Sequence, residues 1–345
     1  VSYQSIAGSN QMQHFQLNNQ AGDELIILSL GATMQRWSTQ LGKQRRELIL
    51  GYPQAEAYFQ DPCYLGALVG PYANRIGQGQ LTIDQRRYQL QQNEGSHHLH
   101  GGEQGLHRQQ WQLLQQQNNT VVLCCDLADG HSGYPGPCHF QVSYHLSEAS
   151  IITTAEGANW QQTRLTIALQ ASSSQPTLIG PTLHPYFNLA AHHHAVADAP
   201  LSGINDHQLQ LDAVYYAEVD AQNIPTGHLR KVSGSAFDFS HFKPIEEVRL
   251  DHNFVVHGNV QQPAATLKSP DGLLQLGVSS DYPGLQVYTG DYLAPPFQPR
   301  QGICLEPQFF PDSPNQKCFP FQFTRVDQPF QARICYWLNK SLPKN

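Results

Sequence analysis

The chain has 345 residues, with 20 Lys and Arg against 27 Asp and Glu for a formal charge of −7, and is 40% hydrophobic, 10% aromatic and 14% charged. A chain this long buries about three quarters of its extended surface on folding, so its core needs neither metal nor disulfide staples; high aromatic and low charged content exclude disorder. The acidic balance without a basic stripe excludes a nucleic-acid partner, and no run approaches the roughly 18 apolar residues of a membrane helix.

In chain order, the first twenty residues, VSYQSIAGSNQMQHFQLNNQ, carry neither a basic nor an apolar region, so no signal peptide is expected. PQAEAYFQD (53–61) predicts a short helical turn. Alternation with period two then dominates. It predicts strands at TVVLCCDLA (120–128), at CHFQVSYHL, where Phe140, Val142, Tyr144 and Leu146 share a face, and at RLTIALQA, where Leu165, Ile167, Leu169 and Ala171 do. Further strands are predicted at 273–280, 285–290 and 330–338. Turns rich in Gly, Pro and Asp separate them, and sustained helical periodicity is missing. Many short strands without long alternating helices mean an all-β sandwich or barrel. AHHHAVADAP (191–200), with His192, His193 and His194, reads as a solvated surface loop rather than a linker. No fixed-period repeat is present, so residues 1–345 are expected to form a single β domain. Seven cysteines from Cys63 to Cys335, odd in number and without a C-x-x-C pair, predict neither a disulfide framework nor a zinc site, which fits the cytoplasm.

Five segments carry more polar chemistry than solubility requires. GALVGPYANRIGQGQ places Asn74 and Arg75 in a Gly-rich setting, which serves either a turn with a surface arginine or a site. In NEGSHHLHGG, Gly101 and Gly102 permit a tight turn beside His100. His98 and His100 share one side of a strand, the geometry of a metal ligand pair, but no third ligand follows at an enzyme-like spacing. GPTLHPYFNL sets His184 before Tyr186, Phe187 and Asn188: either a structural histidine, or a group beside an aromatic face and an amide of the kind that sugars meet. LDHNFVV offers Asp251 and Asn253. GICLEPQFFPDSPN puts Glu306 at the end of a buried strand, where partial desolvation raises a carboxyl towards useful base strength, unless it serves as an ion-pair partner.

Taken in order, VGPYANRI, HLHGG, HPYFNL, DHNF, LQVYTG and CLEPQFFPDSPN resemble the motifs of the galactose mutarotase (aldose 1-epimerase) family, from about residue 66 to 315. The resemblance implies a large antiparallel β-sandwich, the galactose mutarotase-like supersandwich, with an open sugar cleft and neither cofactor nor metal. It implies His184 as general acid and Glu306 as general base, with Asn74, Arg75, His100, Asp251 and Gln286 contacting a small-molecule aldose. A monomer or homodimer is expected. One departure stands out: Pro71 occupies a position where the resemblance leads one to expect arginine, so the loop entering Tyr72–Arg75 is expected to sit differently.

The implied reaction interconverts the two anomers of a free aldose by ring opening and closure. With His184 cationic, its pH profile would be a bell, the glutamate setting the acidic limb and the histidine the basic limb. The rivals are a non-catalytic carbohydrate-binding sandwich, a glycoside hydrolase using Asp251 and Glu306, and a hexose-6-phosphate epimerase of the same superfamily. The last needs a cation cluster, whereas the motifs hold only Arg75.

Overall fold

A computed structural model describes residues 12–153, 157–190 and 202–342. The histidine-rich loop expected at 191–200 lies outside the described residues, as does most of the segment read for a signal peptide. Strands dominate, interrupted by 3-10 turns, one of which, Ala55–Gln60, falls where the short helical turn was predicted.

Each strand read from alternation is present: Thr120–Leu127, Cys138–Leu146, Asn159–Ser173, Leu274–Ser280, Gly284–Tyr288 and Phe330–Ser341. Two run longer than the sequence implied. Asn159–Ser173 extends beyond 164–171 because it pairs along nearly its whole length with Phe330–Ser341, from Trp160 opposite Ser341 to Ala171 opposite Phe330. Backbone pairing continues there past the residues whose side chains alternate cleanly.

All strand pairs are antiparallel, and three sheets organise the molecule. The ten-stranded sheet is centred on Cys138–Leu146, Asn159–Ser173, Phe330–Ser341 and Leu274–Ser280. The six-stranded sheet runs in the order Tyr186–Phe187, Ile303–Gln308, Gly284–Tyr288, Asp251–Val255, Tyr215–Val219, Pro225–Lys231. The four-stranded sheet, His14–Asn18 to Gln44–Glu47, is a meander of consecutive strands.

These sheets form a sandwich over one apolar core. Phe140, Ile167 and Leu338 enter it from the ten-stranded sheet, Phe254, Val287 and Leu305 from the six-stranded sheet, and Leu25 and Ile27 from the meander. Three rings mark where the sheets meet. Trp37 of the meander lies 6.5 Å from Phe187 and 6.1 Å from Tyr336, which are 5.3 Å from each other. A buried ion pair ties the meander to the last strand, with Lys340 Nζ 3.0 Å from Asp23 Oδ1 and donating also to the carbonyl of Ala21. Among the described residues, no helix is long and apolar enough to cross a membrane.

Candidate active site

The six-stranded sheet has two unlike faces, and period two decides which residue goes where. Ile303, Leu305, Leu285, Val287, Phe254 and Phe187 point into the shared core. Their neighbours Cys304, Glu306, Gln286, Tyr288, Asp251 and Tyr186 therefore point the other way. Register sets them side by side: Tyr186 opposite Cys304, Gln286 opposite Glu306, Asp251 opposite Tyr288. This second face floors a cleft of about 410 Å³, a size within the usual range for small-molecule sites.

Two short segments close the walls. The Asn74–Arg75 loop and the turn after His98–Leu99 clasp each other. The N–H of Asn74 donates to His100 Nδ1 at 3.1 Å, and the N–H of His100 to the carbonyl of Asn74 at 3.2 Å. His100 Nδ1 is thus an acceptor, which leaves the ring proton on Nε2. Gly101, at φ 88°, makes the turn possible: a Cβ there would lie 1.8 Å from the carbonyl oxygen of Gly70. Asp61 shapes the opposite wall by accepting the N–H groups of Cys63 and Leu65, which positions Tyr64. His184 is held at the backbone, its N–H donating to the carbonyl of Ala67 and its own carbonyl accepting the N–H of Gly66.

All seven residues picked from the sequence, Asn74, Arg75, His100, His184, Asp251, Gln286 and Glu306, line this one cleft. His184 Nε2 stands 3.6 Å from Glu306 Oε1, with the two side chains 5% and 1% exposed as residues. Burial pushes His184 down to about 4 and Glu306 well above its usual value, the charge of Asp251 adding to the latter. Both shifts oppose charge separation, so in the unliganded cleft the proton they share rests on the carboxyl. This differs from the expectation of a histidine held cationic: burial lowers the ring's pKa by more than the hydrogen bond at its own backbone raises it.

Arg75 is occupied. It binds Glu94 through Nε at 2.7 Å and Nη2 at 2.8 Å, and Nη1 lies 3.8 Å from Asp251. Burial would lower its pKa, but these carboxylates outweigh burial and hold it above the ordinary arginine value. Asp251 also accepts from Gln286 Nε2 at 2.7 Å and Asn223 Nδ2 at 3.3 Å. Glu306 Oε2 and Gln286 Oε1 are buried and accept no hydrogen bond from the described residues.

Two readings change. Phe187 does not join Tyr186 as a sugar platform but faces the core, and Asn188 donates to the carbonyls of Ser202 and Gln301 away from the cleft. His98 is no metal ligand: Nδ1–H donates to the carbonyl of Gln91 and Nε2 accepts from the Tyr134 hydroxyl, both at 2.7 Å. His184, Cys304 and Glu306 do bring one potential ligand atom each within 4.8 Å of one another. Sγ lies 3.5 Å from Nδ1 and Oε1 3.6 Å from Nε2, on two sides of the ring. Burial raises the pKa of both the thiol and the carboxyl, which works against the anionic forms a metal ion needs. As for Pro71, it follows a cis peptide bond, and its carbonyl accepts the N–H of Gly180.

Sequence reasoning passed over Tyr64, Glu94, Asn223, Tyr288, Tyr292 and Cys304, which also border the cleft or its floor. Two carried a signal. Cys304 stands two before Glu306, and Tyr288 two after Gln286, so each shares a face with a residue already chosen. Tyr64, Asn223 and Tyr292 lie outside regular strands, where no periodicity points to them.

A sequence profile described as aldose 1-epimerase matches residues 13–337. The chain is 32% identical over 325 residues to the aldose 1-epimerase of Escherichia coli K12, covering 88% of each. It is 32% identical over 336 residues to the galactose mutarotase of Bos taurus, covering 91% of this chain and 90% of the relative. Among solved structures, the galactose 1-epimerase of Lactobacillus acidophilus superposes with a TM-score of 0.80 at 26% identity, over 99% and 98% of the two chains.

Proposed function

Because the chain belongs to the aldose 1-epimerase family and is an isomerase of that kind, we propose that it interconverts the α and β anomers of free aldohexoses such as galactose and glucose, with His184 and Glu306 as the proton-transfer pair. The observation that carries this reading is the 3.6 Å approach of His184 Nε2 to Glu306 Oε1 on the floor of an otherwise charge-paired polar cleft.

Anomer exchange needs one proton removed and one delivered. The carboxylate of Glu306 takes the proton of the anomeric hydroxyl while His184 protonates the ring oxygen. The C1–O5 bond breaks, leaving the open-chain aldehyde; its carbonyl end rotates about C1–C2. Attack by the freed hydroxyl on the other face reverses both transfers. The pair must hold one proton throughout. That proton rests on Glu306 in the empty cleft and moves to His184 to begin the cycle. His100 Nε2–H, Asn74, Arg75, Asp251 and Gln286 hold sugar hydroxyls, supplying orientation rather than proton transfer. The open acceptors Glu306 Oε2 and Gln286 Oε1 suit a ligand rich in O–H donors.

An uncharged substrate follows from the charges. Arg75 is the one Lys or Arg lining the cleft among the described residues, and two carboxylates already claim it. Arg36 pairs with Glu47, Arg45 donates to Ser38 and Arg46 pairs with Asp271; none of these, nor Arg86 or Arg87, lines the cleft. The hydrolase reading is weakened because Asp251, its second carboxylate, is engaged by Gln286, Asn223 and Arg75. One core cluster drawing on residues from Phe15 to Leu338 supports a single domain. Seven free thiols fit a cytoplasmic enzyme. Anomer exchange followed by NMR on galactose, glucose and glucose 6-phosphate tests the proposal: exchange is expected with both free sugars and far slower with the phosphate. A preference for the phosphate would overturn the substrate class, and no exchange with any sugar would overturn the activity.

A further inference from the structure

The chemistry proposed above gives no task to the thiol beneath the cleft floor. Cys304, fully buried, sits two residues before Glu306 on the strand Ile303–Gln308, between its cross-strand neighbours Tyr186 and Tyr288. Its Sγ lies 3.5 Å from His184 Nδ1, on the far side of the ring from Glu306. Among the side chains of the described residues no other group bonds Nδ1; the ring's remaining hydrogen bond is to its own backbone.

We propose that Cys304 is a positioning residue for the epimerase reaction: its neutral sulfur accepts the Nδ1–H of His184 and locks the ring with Nε2 towards Glu306 and the cleft. The inference rests on the epimerase reading and goes beyond it by assigning the second ring nitrogen. The proton inventory requires a partner there. When the pair holds its single proton on the carboxyl, that proton faces Nε2 across 3.6 Å, and the neutral ring carries its hydrogen on Nδ1. When the proton moves to the ring, Nδ1 keeps that hydrogen and Nε2 gains another. Both forms present a buried Nδ1–H, and a buried donor without an acceptor is costly.

The choice of sulfur has a consequence. A carboxylate or carbonyl at this position would compensate the imidazolium charge and make the ring a weaker acid. Burial, with the Glu306 carboxyl beside it, keeps the thiol protonated and neutral. The ring is therefore oriented without being made more basic, which preserves its readiness to give up a proton. Other titratable groups facing the ring are Tyr186 at 5.1 Å, His100 at 5.4 Å and Tyr64 at 5.9 Å between ring centroids. His107 lies beyond Tyr64, with Arg75 and Asp251 elsewhere around the cleft. None of these takes the Nδ1 hydrogen.

Cys304→Ala and Cys304→Ser test this, with circular dichroism and thermal melting to show that each variant folds. Misdirecting the ring in Cys304→Ala is expected to lower kcat about 10- to 100-fold while KM stays nearly constant. Cys304→Ser, whose hydroxyl oxygen is a better acceptor, should recover most of kcat and move the acidic limb of the pH profile upwards. In 15N-labelled protein, His184 Nδ1 should read as protonated below the basic limb, and its signal should shift in both variants. The proposal is overturned if folded Cys304→Ala keeps wild-type kcat and pH profile, if Ser fails to rescue, or if Nδ1 is unprotonated or unmoved by substitution. Should the wild-type protein exchange no anomers, the epimerase reading falls, and the nitrogen spectrum alone still decides the Nδ1–H to sulfur contact.

Discussion

Glu306 and His184 differ from surface residues of the same types in one respect, the loss of water, and that loss sets their behaviour. Replacing Glu306 by Gln, or His184 by Asn, keeps shape and deletes proton transfer. Each variant is expected to lose at least about 10²-fold in kcat while sugar binding measured by calorimetry persists. A variant retaining more than about a tenth of the rate would lose its assignment. The pH profile follows from the shifts in burial. Activity needs the pair to hold one proton, so the acidic limb, expected near pH 4, reports a second proton arriving on His184. The basic limb reports Glu306, held well above its usual value, giving up its own. This order is the reverse of the one expected from the sequence, and titration of the His184 ring by NMR checks it: a ring still charged at pH 6 would refute it. Activity should also be indifferent to EDTA, because among the described residues the one trio with ligand atoms, His184, Cys304 and Glu306, has its thiol and carboxyl pushed by burial away from the anionic forms a metal needs.

Elements were legible where alternation ran long and illegible where it stopped. Cys138–Leu146 matches its sequence reading residue for residue, since every second side chain enters the core. Short strands such as Leu68–Val69, Thr182–Leu183 and Tyr186–Phe187 have only two residues, too few for a period. The wall residues Tyr64, Asn223 and Tyr292 come from loops whose paths are fixed by contacts distant in sequence, such as the hydrogen bonds of Asp61 to Cys63 and Leu65 around Tyr64. Asn74 and His100 stood out through their Gly-rich settings, but their mutual clasp is a tertiary fact. That clasp depends on Gly101. Gly101→Ala strains a left-handed position and drives a Cβ into the Gly70 carbonyl, so a loss of about 1–3 kcal/mol is expected. KM should rise more than kcat falls, because His100 moves while the floor does not. Chemical denaturation with steady-state kinetics measures both, and an unchanged KM would mean His100 does not hold the sugar.

The molecule as a whole carries several histidines that folding keeps neutral. Burial lowers His98, His184 and His207 to about 4 and His107 to about 3; it also holds His100 well below its usual value, where neighbouring charges add to the effect. Their folded values lie below the unfolded one, so the stability they contribute is present above pH 6.5 and is lost as pH falls towards 4. Each shift of this size corresponds to on the order of 3 kcal/mol once fully expressed. The melting temperature should therefore drop steeply between pH 6.5 and 4, with proton uptake on unfolding measurable by calorimetry in buffers of different ionisation heat. A flat melting temperature over that range would contradict the buried, neutral histidines. The six-stranded sheet, finally, bears on how such a protein can change through descent. Ile303, Cys304, Leu305 and Glu306 are neighbours in one strand, yet they serve the interior and the chemistry in turn. A single inserted or deleted codon within that strand would exchange the two roles at once and destroy both, so variation there is confined to replacement in place. Tyr64, Asn223 and Tyr292 share no strand with core residues and escape this constraint. If the proposed function holds, new preferences among sugars can thus accumulate along the rim by insertion, deletion or replacement, while the floor with His184 and Glu306 is inherited almost as a unit.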